Sequence, residues 1–294
     1  MSTTENPGPS SGAKPTPSIA ILGTGKMGSA IAGRLAQGGF KIILWNRTRE
    51  RAEALGLGTV AETPAAAARD ADVVISNLTG AEAVRSSYNG PDGAISEGAQ
   101  KLFVEMSTAG PDLLPTLAAD IAAVGGRLVD APILGAPTLM RAGQAAILVG
   151  GSDLDFDAAS PVLGALGTVR HVGPLGSGAR LKLVANSMLA DIVLAAAELQ
   201  VAGERAGLHP DDVFWVLERM APMLAARRNG IVENRHEPTL FALRDLRKDL
   251  DLAIGLFGKS DVESPITLEA RHLVAAAASK YGDEDITAVA RPYR

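Results

Sequence analysis

Two periodicities divide the chain. From Ser18 to about Val172, short β-rich runs recur at Ser18–Leu22, Phe40–Asn46, Asp72–Asn77, Lys101–Met106, Arg127–Asp130 and Ala145–Gly150. Helix-like stretches such as Met27–Gln37, Arg49–Leu55 and Leu113–Val124 fall between them. Strands alternating with helices predict βαβ units and a largely parallel sheet. After Gly178 the strand signal stops. Helical spacing then covers Ala179–Ala206, Pro210–Met220, Leu240–Phe257 and Pro265–Tyr281. The change sets a boundary near residues 173 to 178, giving a first domain over 18–175 and an all-helical one over 176–294. The stretch Ala179–Ala206 is apolar almost all the way round, which predicts a helix buried on several sides. At about 1.5 Å per residue it would run roughly 40 Å, through the centre of the second domain or along a subunit interface.

Composition narrows the class. Apolar residues make up 47% and charged residues 21%, too apolar and too weakly charged for a disordered chain. A net charge of −5 argues against nucleic acid or an anionic membrane as the partner. There are no cysteines, which excludes disulfides, thiolate nucleophiles and Cys-ligated metal, and fits the cytoplasm. Residues 1–17, rich in Pro, Ser, Gly and Thr, lack the apolar core of a signal peptide and read as a disordered leader. The greasiest run, Leu183–Ala197, is interrupted by Asn186, Ser187 and Asp191. It is shorter than the roughly 20 residues a span needs, so no membrane segment is expected.

The first chemical signal follows the first strand. Gly23, Thr24, Gly25, Lys26, Met27 and Gly28 form a G-x-G-x-x-G turn that opens a helix. The first glycine permits the tight turn, the second lets a pyrophosphate approach the backbone, and the third lets the helix pack on the strand. The helix N-terminus then faces the phosphates. Alone the motif is weak; directly after a strand it predicts dinucleotide binding. At the end of the second strand, where an NAD site places a carboxylate, stand Asn46, Arg47 and Thr48. Arg47 suits a 2′-phosphate, with further donors on Asn46 and Thr48, which favours NADP(H). Arg47 as a plain solvated loop residue is the bland alternative. Two further loops follow strands at the ligand-binding edge, Asn77-Leu78-Thr79 and Ser107-Thr108, and each reads as a cofactor contact or as an ordinary turn.

The catalytic candidate lies on the long helix. Lys182 and Asn186 are four apart and share one face. A lysine near a helix start is usually a solvated charge. On an apolar helix, desolvation lowers its pKa towards working pH and suits it to proton transfer. The four histidines form no close pair and no His/Asp/Glu cluster has metal spacing, so no metal is expected. The absence of G-x-S-x-G argues against a serine hydrolase.

Taken together, these segments resemble the β-hydroxyacid dehydrogenases, a family that includes 3-hydroxyisobutyrate dehydrogenase and the glyoxylate/succinic semialdehyde reductases. The likeness covers nearly the whole chain after residue 17. It rests on the turn at Gly23–Gly28, on Asp130-Ala131-Pro132, on G-x-G-x-x-x-K-x-x-x-N from Gly176 to Asn186, and on K-D-L-x-L-A from Lys248 to Ala253. The resemblance implies an α/β Rossmann domain followed by an all-α domain, linked by a long helix, in a homodimer or homotetramer. It implies hydride transfer between the nicotinamide and a β-hydroxyacid or semialdehyde, with Lys182 as general acid/base and Asn186 positioning substrate. It further implies that Lys248 reaches the cofactor, that Thr108 lies by the nicotinamide, and that Phe241 and Asp249 lie near the active site.

One departure changes the expected pocket. The family usually continues D-A-P-V-S-G-G, whose serine and glycines hold the substrate carboxylate. Here Leu134, Gly135 and Ala136 occupy that stretch, and Leu139-Met140 stands where Gly-Ala is common. A more apolar, narrower pocket is expected. The competing readings are an imine reductase, favoured by Leu134 and opposed by Lys182, and a non-catalytic NADP-binding or scaffold protein on the same fold.

Overall fold

The computed structural model describes residues 16–294. The expected leader lies almost wholly outside the described residues. The first domain runs β1 (Ser18–Leu22), α1 (Lys26–Gln37), β2 (Lys41–Trp45), α2 (Arg49–Glu53), β3 (Thr59–Val60), α3 (Pro64–Arg69), β4 (Val73–Ser76), α4 (Ala81–Asn89), β5 (Leu102–Glu105) and α5 (Leu114–Ala123). It continues with β6 (Arg127–Asp130), β7 (Ile133–Leu134), α6 (Pro137–Arg141), β8 (Ala145–Gly150), α7 (Asp153–Leu163) and β9 (Gly167–Gly173). The second domain is helical: α8 (Ser177–Arg205), α9 (Pro210–Met220), α10 (Arg228–Glu233), α11 (Leu243–Lys259) and α12 (Pro265–Tyr281).

Among the described residues nine strands form one sheet in the order β3-β2-β1-β4-β5-β6-β8-β7, with β9 on β8. From β3 through β6 every pairing is parallel, as the βαβ pattern predicts. The chain leaves β1 on one side and returns to β4 on the other. Their C-terminal ends therefore form the crevice where such sheets bind ligands. Beyond β6 the expectation of parallel strands fails locally: β8 runs antiparallel to both β6 and β7. The link between Leu134 and Ala145 is too short for a full crossover, so the chain folds back as a hairpin-like return. The strands without a sequence signal are β3 and β7, of two residues each, and β9, which is partly exposed along its length.

Apolar side chains pack on both faces of the sheet. Ile19, Ile21, Ile31 and Leu35 lie in one layer; Leu22, Phe103, Leu117 and Ile121 lie in the other. A separate core joins α8, α9, α11 and α12 through Val193, Phe214, Leu250 and Val274. The long helix buries a single side in this chain. Leu181, Val184, Met188 and Leu199 are exposed, so burial on several sides, as expected for a helix through the centre of the second domain, is not reached within this chain. It is long and apolar enough by composition to cross a membrane, and half of its most apolar window is buried in the protein. Of the last long helices, α12 keeps its expected bounds, whereas α11 starts three residues later than expected and runs two residues further, to Lys259. Residues 240–242 stay outside the helix, where Asp285 accepts the N–H groups of Leu240 and Phe241, so α11 begins at Leu243.

Candidate active site

The glycine turn is dictated by close approach. A Cβ on Gly28 would lie 2.0 Å from the carbonyl oxygen of Gly23, and one on Gly23 would lie 2.4 Å from that of Asn77. Gly25, by contrast, caps α1 with nothing within 4 Å of its Cβ position, which leaves the turn open. Thr24 is buried, yet among the described residues its Oγ1 has no hydrogen-bond partner. An open helix N-terminus with an unpartnered buried hydroxyl beside it fits the phosphates of a dinucleotide. Lys26 reaches out of the turn and donates to the carbonyl of Thr239 in the second domain at 2.8 Å. Met27 is half-buried against the sheet core.

The Asn46–Thr48 segment divides its duties. Asn46 is committed at both ends: its Oδ1 accepts the Thr24 N–H at 3.0 Å and its Nδ2 donates to the Thr48 carbonyl at 2.8 Å. It clasps the glycine turn rather than standing free for a phosphate. Arg47 and Thr48 are exposed, and among the described residues Arg47 makes no ion pair. The neighbouring Arg49 is already held by Glu53 and Glu62.

Two loops meet at the ends of β4 and β5. Asn77 Nδ2 donates to the Met106 carbonyl at 3.1 Å, and the Leu78 N–H donates to Ser107 Oγ at 2.8 Å. Thr79 is exposed and Thr108 half-buried. Lys248 arrives from α11 and donates to the Thr108 carbonyl at 2.5 Å, while its Cδ passes 3.8 Å from the Cβ position of Gly80. It thus bridges both loops.

The same lysine closes a charged cluster. Its ammonium lies 2.7 Å from Asp249 Oδ1, a charge contact without hydrogen-bond alignment. Asn186 donates to Asp249 Oδ2 at 2.6 Å. Burial pushes the Asp249 carboxyl up; Lys248, Lys182 and Asn186 pull it back. Lys182, one turn before Asn186, donates to the Ile133 carbonyl at 2.7 Å. Burial lowers its pKa from the ordinary lysine value, Asp249 opposes that shift and Lys248 adds to it. The apolar setting read from sequence therefore exists, and it surrounds a lysine within a network of two lysines, an aspartate and an amide.

Leu134 is half-buried beside Ile133, Gly135 has a positive φ of 139°, and Ala136 caps α6. Gly135 lies near Leu139, which is exposed. Met140 does not narrow the pocket as expected: it is fully buried in the sheet core. Phe241 packs half-buried against the helical core, two residues beyond Thr239.

Asp130 was legible only as part of a motif. Its two oxygens accept the N–H groups of Gly176 and Ala179 at 2.6 Å each, so it caps α8 and sets the height of Lys182. Ser107 was legible only as part of a loop after a strand, and Glu105 had no functional signal of its own. A glutamate inside the apolar run Phe103–Met106 was the available hint.

Comparison with known proteins bears on the family and the fold. The profile of the NAD binding domain of 6-phosphogluconate dehydrogenase matches residues 18–173, and that for NAD-binding of NADP-dependent 3-hydroxyisobutyrate dehydrogenase matches residues 176–293. The chain belongs to the β-hydroxyacid dehydrogenase family. A glyoxylate/succinic semialdehyde reductase of Arabidopsis thaliana is 30% identical over 93% of this chain and 78% of its own length. The human cytokine-like nuclear factor N-PAC is 29% identical over 94% of this chain, which spans about half of that protein (51%). A 3-hydroxyisobutyrate dehydrogenase structure from Mycobacterium tuberculosis, solved with L-serine, superposes with a TM-score of 0.83 at 27% identity, covering 95% of this chain and 99% of that one. An imine reductase from Myxococcus stipitatus shares the fold, with a TM-score of 0.64 at 18% identity over 95% and 100% of the two chains. This member of the family is accordingly an oxidoreductase with a nicotinamide cofactor and a small-molecule substrate.

Proposed function

We propose that this β-hydroxyacid dehydrogenase relative is an NADP(H)-dependent enzyme that interconverts a carbonyl compound of the semialdehyde type and its hydroxy acid, with Lys182 as the general acid/base. The observation that carries the reading is Lys182 itself: a desolvated ammonium, 2.7 Å from the Ile133 carbonyl and one helical turn from Asn186. The bound nicotinamide supplies the hydride in reduction and takes it up in oxidation. Gly23–Gly28 and Thr24 would hold its pyrophosphate, Arg47 and Thr48 a 2′-phosphate, and Lys248 would steady the loops around Thr79 and Thr108. During reduction Lys182 gives a proton to the oxygen of the carbonyl as its carbon gains hydride, and in oxidation it takes that proton back. Asn186 uses one amide N–H on Asp249 and keeps the other for a substrate oxygen. Leu134 in place of the usual serine supports a substrate with an apolar portion.

Arg47 supports NADP(H) because it is exposed with no carboxylate bound to it among the described residues. A tenfold preference in kcat/KM needs about 1.4 kcal/mol, within reach of one charge-assisted contact. Arg47→Ala should remove a preference of that size; equal kcat/KM with NADPH and NADH in the parent protein would refute it. Activity is tested by nicotinamide absorbance with glyoxylate, a panel of semialdehydes and hydroxy acids, and cyclic imines. Turnover confined to the imines would favour the imine reductase reading, which Leu134 supports and Lys182 opposes. Binding of NADPH with no turnover of any would favour a non-catalytic protein. The exposed apolar line Leu181, Val184, Met188 and Leu199 on α8 supports a homodimer or homotetramer, which sedimentation equilibrium tests.

A further inference from the structure

A buried carboxylate sits beneath the two cofactor loops, outside the Lys182 cluster. Glu105, the last residue of β5, is 2% exposed. Its Oε1 accepts the Ser107 N–H at 2.7 Å. Its Oε2 meets Ser76 Oγ, and Ser76 Oγ lies 2.7 Å from the hydroxyl of Tyr88, which is fully buried. Ser107 in turn accepts the Leu78 N–H, and Asn77 ties its own loop to Met106. One carboxylate therefore lies at the root of one of the two side-chain bonds that join the 77–79 loop to the 106–108 loop among the described residues, that from Leu78 to Ser107; the other runs from Asn77 to Met106.

The direction of this chain depends on one proton. With Glu105 ionised, Tyr88 donates to Ser76, Ser76 donates to Glu105, and the Ser107 N–H donates to the charged carboxylate. Every donor has an acceptor. With Glu105 protonated on Oε2, the carboxyl donates to Ser76 and Ser76 donates to Tyr88. The Tyr88 hydroxyl hydrogen is then left without an acceptor in a site with no water exposure, which is unfavourable. The Ser107 N–H bond weakens as well, since bonds to an ionised acceptor are about twice as strong as neutral ones. We infer that ionised Glu105 is a positioning residue for the nicotinamide half of the cofactor site, locking the 77–79 and 106–108 loops together and releasing part of that hold when it gains a proton.

The balance lies where it can be titrated. Burial raises the carboxyl to about 7, while the bonds from Ser107 and Ser76 hold it down and the charge of Asp130 raises it further. The groups facing it are Tyr88 from α4, Ser76 from β4 and Asp130 from β6, its register partner. The Asp130 carboxylate is committed to the start of α8. No ionisable group of α7, which also packs on β5, is among those that shift it. The inference rests on dinucleotide binding at this sheet edge and not on the identity of the substrate.

The test is the NADPH dissociation constant, read by nicotinamide fluorescence between pH 6 and 8. Glu105→Gln keeps the shape and stays neutral throughout. The parent should gain affinity over the variant as pH rises, by about fivefold at pH 8, and the two should converge at pH 6. The 2′-phosphate of NADPH titrates in both proteins and cancels in the ratio. A parent-to-variant ratio that is constant over this range overturns the inference. Tyr88→Phe gives a second arm should the first variant fold poorly. Losing the donor to Ser76 disfavours the ionised carboxylate, so the inflection should move to higher pH. An inflection that stays in place overturns the inference on its own. Failure of the parent to bind NADPH or NADH at all would instead overturn the dinucleotide reading, and this inference with it.

Discussion

A lysine works as a general acid near neutral pH only when something opposes its ammonium. At Lys182 burial does so, helped by Lys248 and partly offset by Asp249. A lowered pKa means the proton is lost at a lower pH than for a free lysine. Reduction, which needs the ammonium, should therefore fall through an inflection at a lower pH than an ordinary lysine would give, and oxidation should rise over the same range. Lys182→Ala should lower kcat by about a hundredfold or more and flatten both limbs, a loss of about 2.7 kcal/mol in transition-state stabilisation. Lys182→Arg should not recover it, because a planar, permanently charged head cannot give up its proton. The NADPH dissociation constant should hardly change in either variant, since the phosphate-binding turn belongs to the other domain. Near-parental kcat in Lys182→Ala would remove this residue from the mechanism.

At the scale of elements, what could be read from sequence is what spacing enforces. The glycine turn was legible because no Cβ fits at Gly23 or Gly28. The four-residue interval from Lys182 to Asn186 was legible because helical geometry has no alternative for it. What escaped were contacts between elements distant in sequence. The commitment of Asn46 to Thr24, the turn of Met140 into the core, and the pairing of Glu105 with Ser76 all depend on neighbours that no local pattern specifies. The cap on α8 is the instructive case. Gly178 must be glycine because a Cβ there would lie 2.3 Å from the Leu148 carbonyl. That close approach lets Asp130 take the N–H groups of Gly176 and Ala179. Asp130→Ala strands one buried and one partly buried donor and should cost roughly 1–3 kcal/mol in urea unfolding. Because the cap sets where Lys182 enters the cleft, kcat should fall more than the affinity for NADPH changes. An intact kcat in a folded Asp130→Ala would show that α8 is held at that height by its packing alone.

The whole molecule closes across the cleft by few ties, and they are not equivalent. Lys259–Asp112 and Lys26–Thr239 involve exposed groups, and pairs of that kind contribute little. Lys248 is different: it contacts the Thr108 carbonyl in the first domain and Asp249 in the second, and it acts on Lys182 through its charge. Lys248→Met keeps the apolar stem that passes Gly80 and removes only the ammonium. Two effects follow, with the same sign for Lys182. A positive neighbour that lowered its pKa is gone, and the carboxylate of Asp249 loses a competing cation. The alkaline inflection in the reduction rate should therefore move to higher pH. Asp249, deprived of its nearest counter-charge, is pushed further towards its neutral form, which limits that movement without reversing it while Lys182 and Asn186 remain beside it. The loss of the Thr108 contact should weaken NADPH binding at every pH, by about tenfold for one charge-assisted bond. Measuring kcat and the dissociation constant of NADPH across pH separates the two roles. A weaker constant with an unmoved inflection would leave Lys248 as a tie between the domains and no more, whereas a moved inflection makes it part of the charge balance that sets the proton donor.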